Sequence, residues 1–354
     1  MTAALLYSHY WAMWLGAATA IVVAVVGWRS VDADRRRGAW KALGAMAVGV
    51  VLFVPWIPVM AYQSAHTGTP WGEVFRPATI LVVTMTDFVG GGFGELQIMS
   101  YVLVVAITVA AFGTLRVRAG QQVVELSTAP RARIGAELSV FGLTMGIGWV
   151  TSVAASSTFA SRYASVVAPL FVLCSAAGLA MVRTRRATAV LTALTCAALV
   201  LGTAVEIVSD RTQARVVADV IANEIADDEP SDAVVVTCPD QLAPATLRAL
   251  ENRGIDAEVL PFPRGDPRFV DWVDYEDRNS AADPVAFAES LLSALDDDTT
   301  VYAVVNTHYL TFEGKCEALL AALASDGATL ENPVEGSGNN FFEGMSLWVR
   351  RPSS

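Results

Sequence analysis

Histidine and cysteine are scarce in this sequence, which holds three of one and four of the other in 354 residues. His9, His66 and His308 fall in unrelated segments, and no CxxC or HExxH spacing occurs. That distribution argues against a zinc site and against a hydrolase triad, and the metal-ligand expectation is none. There is no GxGxxG and no P-loop, so nucleotide binding has no support. No lipidation motif, low-complexity tract or convincing internal repeat is found. The N-terminus lacks a basic stretch ahead of its apolar run, and that run continues from Ala3 to Trp28, well beyond the apolar core of a cleavable signal. A first spanning helix is expected there instead. No cofactor is required by the sequence, and a divalent metal is left undecided.

What the chain does have is long apolar runs and an uneven charge. A hydrophobic fraction of 54%, a mean hydropathy of +0.46 and a net charge of -11 are averages over two unlike parts. Up to Val208 there are 14 Lys and Arg against 8 Asp and Glu; from Ser209 onward, 10 against 27. The expected organisation is therefore a transmembrane module over residues 1–208 and an acidic outside domain over residues 209–354. A domain of that size can bury its own core. Its charge makes nucleic acid an unsuitable partner.

The fold class expected is an α-helical polytopic membrane module of about six spans followed by a soluble α/β, Rossmann-like domain. Ala3–Trp28, Trp40–Tyr62, Gln97–Leu115, Leu138–Ala154, Phe159–Val182 and Ala187–Val208 are the candidate spans, the first of them long enough to cross about 30 Å of hydrocarbon. Pro55 and Pro58 should kink the outer end of the second. Arg29, Arg35, Arg36, Arg37 and Lys41, then Arg116, Arg118, Arg131 and Arg133, then Arg183, Arg185 and Arg186 gather in three loops, whereas the opposite loops hold only Arg76 and Arg162. Basic short loops stay cytoplasmic, so a multi-pass protein of the cell membrane is expected, with both termini and the acidic domain outside. Ala78–Met85 is too short to span and reads as a re-entrant or interfacial segment. In the acidic half, strands at Ala233–Cys238, Ala257–Pro261 and Thr300–Asn306 alternate with helices at Asp210–Ala226, Pro244–Arg253, Pro284–Leu295 and Phe312–Ser325, the pattern of a parallel sheet. A last pair near Ala328–Val334 and Gly344–Arg350 suits antiparallel edge strands.

Candidate functional residues follow from these positions. Arg162, beside Tyr163 at the mouth of a span, has a planar donor fork that fits a phosphate; an arginine snorkelling to the headgroups is the alternative. Gln63 and Trp71 lie in or beside the polar outside loop Gln63–Pro77, and Asp87 and Glu95 flank the glycine run Gly90–Gly92, facing a cavity or simply solvated. Asp240 and Gln241 follow the first strand of the acidic half, where open α/β sheets bind ligands. Asp271, Asp274 and Tyr275 belong to VDWVDYEDR, a cradle for a sugar or a cation, or a solvated acidic loop. Cys174 and Cys196 fall in spans and read as packing residues. Cys238 and Cys316 both fall in the outside domain, where an oxidising compartment permits a disulfide.

LYSHYWAMWLG at Leu6–Gly16, FVPWIPVMAYQSAHTGTPW at Phe53–Trp71 and SRYASVVAPLF at Ser161–Phe171, together with DRTQA, CPDQLAPATLR and VDWVDYEDR, carry a resemblance. The chain resembles the GT-C membrane glycosyltransferases, close to protein mannosyltransferases and aminoarabinose transferases of the family 39 type, especially their actinobacterial members with a C-terminal outside domain. The resemblance implies transfer of a sugar from a polyprenyl-phosphate carrier to an acceptor on the outer face, by an inverting displacement in which a carboxylate activates the acceptor and cationic groups hold the leaving phosphate. Arg162 then takes the phosphate, and His9 and Tyr10 match a His-aromatic pair near the cavity. Family members carry their catalytic carboxylate in the first outside loop of a module with about twice as many spans. This chain begins at what resembles a middle helix of that module, so the catalytic residue is unassigned. The expectation is a C-terminal portion of a longer enzyme, or a half-module working with an upstream or partner subunit. The rival expectation is a non-catalytic membrane protein whose outside domain binds a ligand or a cell-envelope partner. Few ionisable residues lie mid-span, which disfavours a coupled transporter.

Overall fold

The computed structural model describes residues 1–67, 76–88, 94–118, 120–126, 134–154, 159–180, 185–208, 214–228, 233–296, 299–307, 312–325, 327–336 and 344–351. The chain divides into one unit of Met1–Tyr62 and Gly72–Val205 and another of Gln63–Trp71 and Glu206–Ser354.

The first unit is helical. Its opening apolar run is not one helix but two, α1 (Thr2–Ser8) and α2 (Ala12–Arg29). The break falls at His9, which is extended at φ -161° and accepts the Trp11 N–H on Nδ1 at 3.1 Å. That side chain takes a donor that helical backbone would otherwise satisfy. Asp32 caps α3 (Ala33–Phe53) by accepting from the N–H groups of Asp34 and Arg35. At Pro55 the helix tightens to a 3₁₀ turn, Val54–Trp56, before α4 (Ile57–His66) continues it. α5 (Pro77–Phe88) is the short apolar segment, and α6 (Gly94–Phe112) leads into a hairpin of β1 (Gly113–Arg118) and β2 (Gln121–Leu126). The sequence reading has a plain basic loop there and extends the span to Leu115; the hairpin instead begins at Gly113 and turns at Gly120, whose φ of +79° suits glycine.

α7 (Gly135–Ala154) follows. The stretch expected as one span from Phe159 starts as extended chain, coils as a 3₁₀ segment over Ser161–Val167, and becomes α8 (Ala168–Leu179) at Pro169. α9 (Arg185–Val208) closes the unit's helices. Among the described residues, four helical segments are long and apolar enough to cross a membrane: Ala12–Arg29, Ala33–His66, Gly135–Ala154 and Ser161–Leu179. Their outward faces carry exposed Val48, Val51, Leu52, Val150, Val172 and Leu173, side chains that suit hydrocarbon rather than water. Hydroxyls of Thr19, Thr144 and Ser175 donate to carbonyls one turn back, so they remain satisfied without water. α6 and α8 pack closely at Gly178, where a Cβ would overlap the carbonyl of Ala106.

In the second unit, α10 (Ala214–Asp227), β3 (Ala233–Cys238), α11 (Ala243–Glu251), β4 (Ala257–Pro261), α12 (Tyr275–Ala281), α13 (Pro284–Leu292), β5 (Thr300–Val305), α14 (Lys315–Leu323), β6 (Leu330–Val334) and β7 (Ser346–Arg350) succeed one another. The five strands form a mixed sheet in the order β4-β3-β5-β7-β6, parallel at β4, β3 and β5 and antiparallel at β7 and β6. Every residue of β3 is buried, as in a strand covered on both faces. Ala233 and Val235 pack with Val217, Ile221 and Leu250 of α10 and α11; Val234, Val236 and Cys238 pack with Phe287, Leu291 and Leu319 of α13 and α14. Each such Val or Leu, fully buried, contributes roughly 1.5–3 kcal/mol. Pro284 and the Asp283 cap, which accepts from Val285 and Ala286 N–H, start α13.

Candidate functional sites

In the first unit, the segment ahead of α8 gathers three of the four residues expected to hold a lipid phosphate. Arg162 is exposed, its guanidinium carbon 5.4 Å from the ring centre of Tyr163. The His9 ring lies 5.8 Å from Tyr163, edge to face. Trp11 packs on Phe159 and Tyr163 at 5.7 and 6.4 Å and closes the cluster underneath. Among the described residues, the Arg162 guanidinium has no hydrogen-bond or ion-pair partner. Tyr10 turns elsewhere, its hydroxyl accepting from Trp56 Nε1 at 3.2 Å.

The neighbouring helices bring buried polar atoms with no partner among the described residues: Trp149 Nε1 and Ser152 Oγ on α7, and Thr84 Oγ1 on α5. Trp149 shares the apolar cluster of Trp11, Phe159 and Tyr163, and α5 packs on the 3₁₀ segment. An open apolar cleft of about 290 Å³ lies between α5, α6, α7 and α8, lined by Leu81, Met85, Val104, Ile107, Phe141 and Phe171. Asp87 is exposed near the end of α5. Glu95 is in the first turn of α6, its side chain outside the described residues, and Trp71 lies outside them altogether.

The second candidate is at the carboxyl edge of the sheet. β3 leads through α11 to β4 on one side, and β4 leads through α12 and α13 to β5 on the other, so the chain changes direction at β3 and β5. Such a switch point is where open α/β sheets place ligands. The two strand ends are tied by the Asn306 N–H, which donates to the Cys238 carbonyl at 2.8 Å. Cys238 is joined by a disulfide to Cys316 in the first turn of α14, Cα–Cα 5.6 Å.

Asp240 is buried beside this edge. The Tyr275 hydroxyl donates to its Oδ1 at 2.7 Å, and Arg278 Nη2 stands 3.6 Å from its Oδ2. Burial raises the Asp240 carboxyl to about 6; the Tyr275 hydrogen bond and the Arg278 charge pull it down only in part. Arg278 also pairs with Asp271 Oδ2 at 3.1 Å and lies over the Tyr275 ring. Tyr275, Arg278 and Asn279 share one face of α12, the helix that takes up the last four residues, Tyr275–Arg278, of the expected loop VDWVDYEDR. Asn279 is 2% exposed with both side-chain polar atoms unpaired among the described residues, where Gln241 Oε1 and Arg278 Nε are buried without partners as well. Lys315 Nζ donates to the carbonyls of Asn279, Ser280 and Ala282 at the end of α12.

Asp274 precedes α12 in the left-handed region at φ +50°, a conformation that Asp tolerates better than most residues. Its N–H donates to the His66 carbonyl at 2.6 Å, and its Oδ1 is 2.8 Å from His66 Nδ1. Gln63, one turn before His66 in α4, accepts the Thr67 N–H on its carbonyl at 2.7 Å. Sequence reading misses His66, Arg278, Asn279 and Lys315. A helical period through Tyr275, Arg278 and Asn279 was the one available signal, and the surrounding acids conceal it.

Among the described residues, no three His, Cys, Asp or Glu converge as metal ligands. Comparison with protein-family models, with curated proteins and with solved structures gave no match.

Proposed function

We propose that the chain is all or part of a GT-C type membrane glycosyltransferase, working on a polyprenyl-phosphate sugar at the outer face of the cell membrane. The observation that carries this reading is Arg162: an exposed guanidinium without a carboxylate partner among the described residues, stacked on Tyr163 and next to His9 at the head of a span-length segment. A guanidinium fork takes two phosphate oxygens at once, and the unpaired Trp149 Nε1 and Ser152 Oγ are further groups that a bound headgroup could satisfy. The apolar cleft along α8 supports a lipid-linked donor over a water-soluble one. In this reading the chain has about six spans, both termini lie outside, and the acidic half is a Rossmann-like domain on the outer side. The base that activates the acceptor is not assigned to any residue of this chain.

Binding of a short-chain polyprenyl phosphate to the full chain, measured by native mass spectrometry from detergent, tests the reading even where transfer needs a second subunit. Arg162→Ala should weaken binding about 10- to 100-fold, and Arg162→Lys by less, because a point charge replaces a fork. Equal binding by the wild-type and Arg162→Ala proteins, at equal yield and melting temperature, would sink the phosphate role.

A second reading rests on the sheet edge, where Asn279 and Gln241 hold buried unpaired atoms beside Asp240. There the protein is a non-catalytic membrane protein whose α/β unit binds a polar ligand. Asn279→Ala abolishing association with a cell-envelope extract, with polyprenyl phosphate binding absent, would favour it.

A further inference from the structure

Residues 30–32 join α2 to α3, and both helices belong to span-length segments of the first unit, so a membrane holding the pair meets this turn at one of its faces. Arg29, Arg35, Arg36, Arg37 and Lys41 are exposed around the turn, against two acids, Asp32 and Asp34. Both acids are occupied: Asp32 caps α3, and Asp34 pairs with Arg37 at 3.4 Å. Among the described residues, the side chains of Arg29, Arg35, Arg36 and Lys41 have no carboxylate partner. Trp28 and Trp40 are exposed as well, and Gly27 packs against Ala39 and Trp40, so the two indoles stand at one level on adjacent helices.

Helical spacing orders these groups along α3. Arg36 and Arg37 lie one turn from Trp40, and Arg37 one turn from Lys41; Gly44, Val48 and Val51 continue the same face away from the turn. Val48 and Val51 are 60% and 66% exposed, and a Cβ at Gly44 would meet nothing within 4 Å. One face of one helix thus runs from cations, past an indole, to an open aliphatic strip. Trp40 to Val51 measures about 16 Å at 1.5 Å per residue, close to the hydrocarbon depth of one leaflet. A phospholipid presents the complementary groups in the same order.

We propose that this end of α3 binds an anionic phospholipid, its phosphate held by Arg36, Arg37 and Lys41 and one acyl chain laid along Gly44, Val48 and Val51. Guanidinium forks take phosphate oxygens in pairs, and Lys41 adds a point charge. A zwitterionic lipid would bring its own cation into a patch that already has an excess of cations, so an anionic headgroup is favoured. A soluble anion would leave the indole and the aliphatic strip unused, whereas Trp40 suits the boundary between headgroup and chain. The inference stands apart from Arg162 and the transferase reading, and needs only a membrane around α2 and α3.

The test offers phosphatidylglycerol and phosphatidylcholine of identical chains together to the full chain in detergent, and counts the adducts of each by native mass spectrometry. The wild type should hold phosphatidylglycerol severalfold more often. Arg36→Gln with Arg37→Gln should lower that preference about 5- to 25-fold, and Lys41→Gln alone about fivefold, near fivefold for each charge removed. Arg185→Gln with Arg186→Gln, which takes two exposed cations from α9, should leave the preference in place, and so should Arg162→Ala. Equal melting temperatures without lipid show that the variants keep their fold. A wild type without preference overturns the site. So does an equal loss in the two double variants, which marks diffuse charge, and so does displacement of phosphatidylglycerol by equimolar glycerol 3-phosphate, which marks a site for a soluble anion.

Discussion

The Tyr275 hydroxyl donates a 2.7 Å hydrogen bond to Asp240 Oδ1, joining the first turn of a helix to the carboxylate that follows the sheet's central parallel strand. The bond holds down a carboxyl that burial pushes up to about 6 from an ordinary 3.8. Because the folded value is the higher one, Asp240 favours the folded state below the ordinary range, near pH 4, and that contribution is lost as pH rises through about 6. The difference amounts to on the order of 3 kcal/mol. Pulse proteolysis of the full chain in urea should therefore show the wild type gaining stability relative to Asp240→Asn as pH falls from 7 to 4. Tyr275→Phe should move the midpoint above 6. A wild type and an Asp240→Asn variant with parallel pH profiles would contradict the burial argument.

Gly178 is predicted to tolerate no side chain. A Cβ there meets backbone of α6, which cannot turn aside as a flexible side chain would. Gly178→Ala should destabilise the detergent-solubilised protein by about 1–3 kcal/mol, whereas Gly142→Ala, whose Cβ meets nothing within 4 Å, should be nearly neutral. Thermal unfolding of the two variants side by side decides it.

Cys238 and Cys316 are both fully buried and close a loop across 78 positions of sequence. A cross-link of that span contributes about 2–5 kcal/mol. Replacing both with Ser should cost that much, as read by the urea midpoint of protease resistance. In SDS without reductant, a maleimide-polymer gel should show labelling at Cys174 and Cys196 alone, and reductant should add two further steps.

The left-handed backbone at Asp274 makes its substitutions unequal. Asp274→Asn keeps a residue that tolerates positive φ, while Asp274→Ala loses both the side-chain bond to His66 and that tolerance. Trypsin cleavage at Arg268 and Arg278 should accelerate more for Asp274→Ala than for Asp274→Asn, with His66→Ala between them. Equal rates for all three and the wild type would show that the His66 contact does not hold the loop.

How far these sites can be read from sequence depends on how local their causes are. β4 occupies the expected Ala257–Pro261, and β3 the expected Ala233–Cys238, because an apolar run bounded by turn residues is a local signal. The Cys238–Cys316 disulfide, plausible in sequence from an even pair of cysteines in an expected outside domain, is present. The break at His9 is hidden, since the letters on either side remain apolar while one imidazole captures one backbone donor. α12 is hidden for the opposite reason: acids at 274, 276 and 277 suggest a solvated loop, yet Tyr275 among them and Asn279 just beyond them are buried. The raised Asp240 carboxyl needs a helix brought from more than thirty positions downstream, and no window of sequence contains both.

His66 and Asp274 lie 208 positions apart. At 5–20 residues per second, the ribosome needs about 10–40 seconds to synthesise what separates them. His66 is thus made early and can meet Asp274 only after residue 274 has been synthesised. A fragment that starts at Glu206 begins without a piece of its own fold, and supplying Gln63–Trp71 as a peptide in trans is the natural way to complete it.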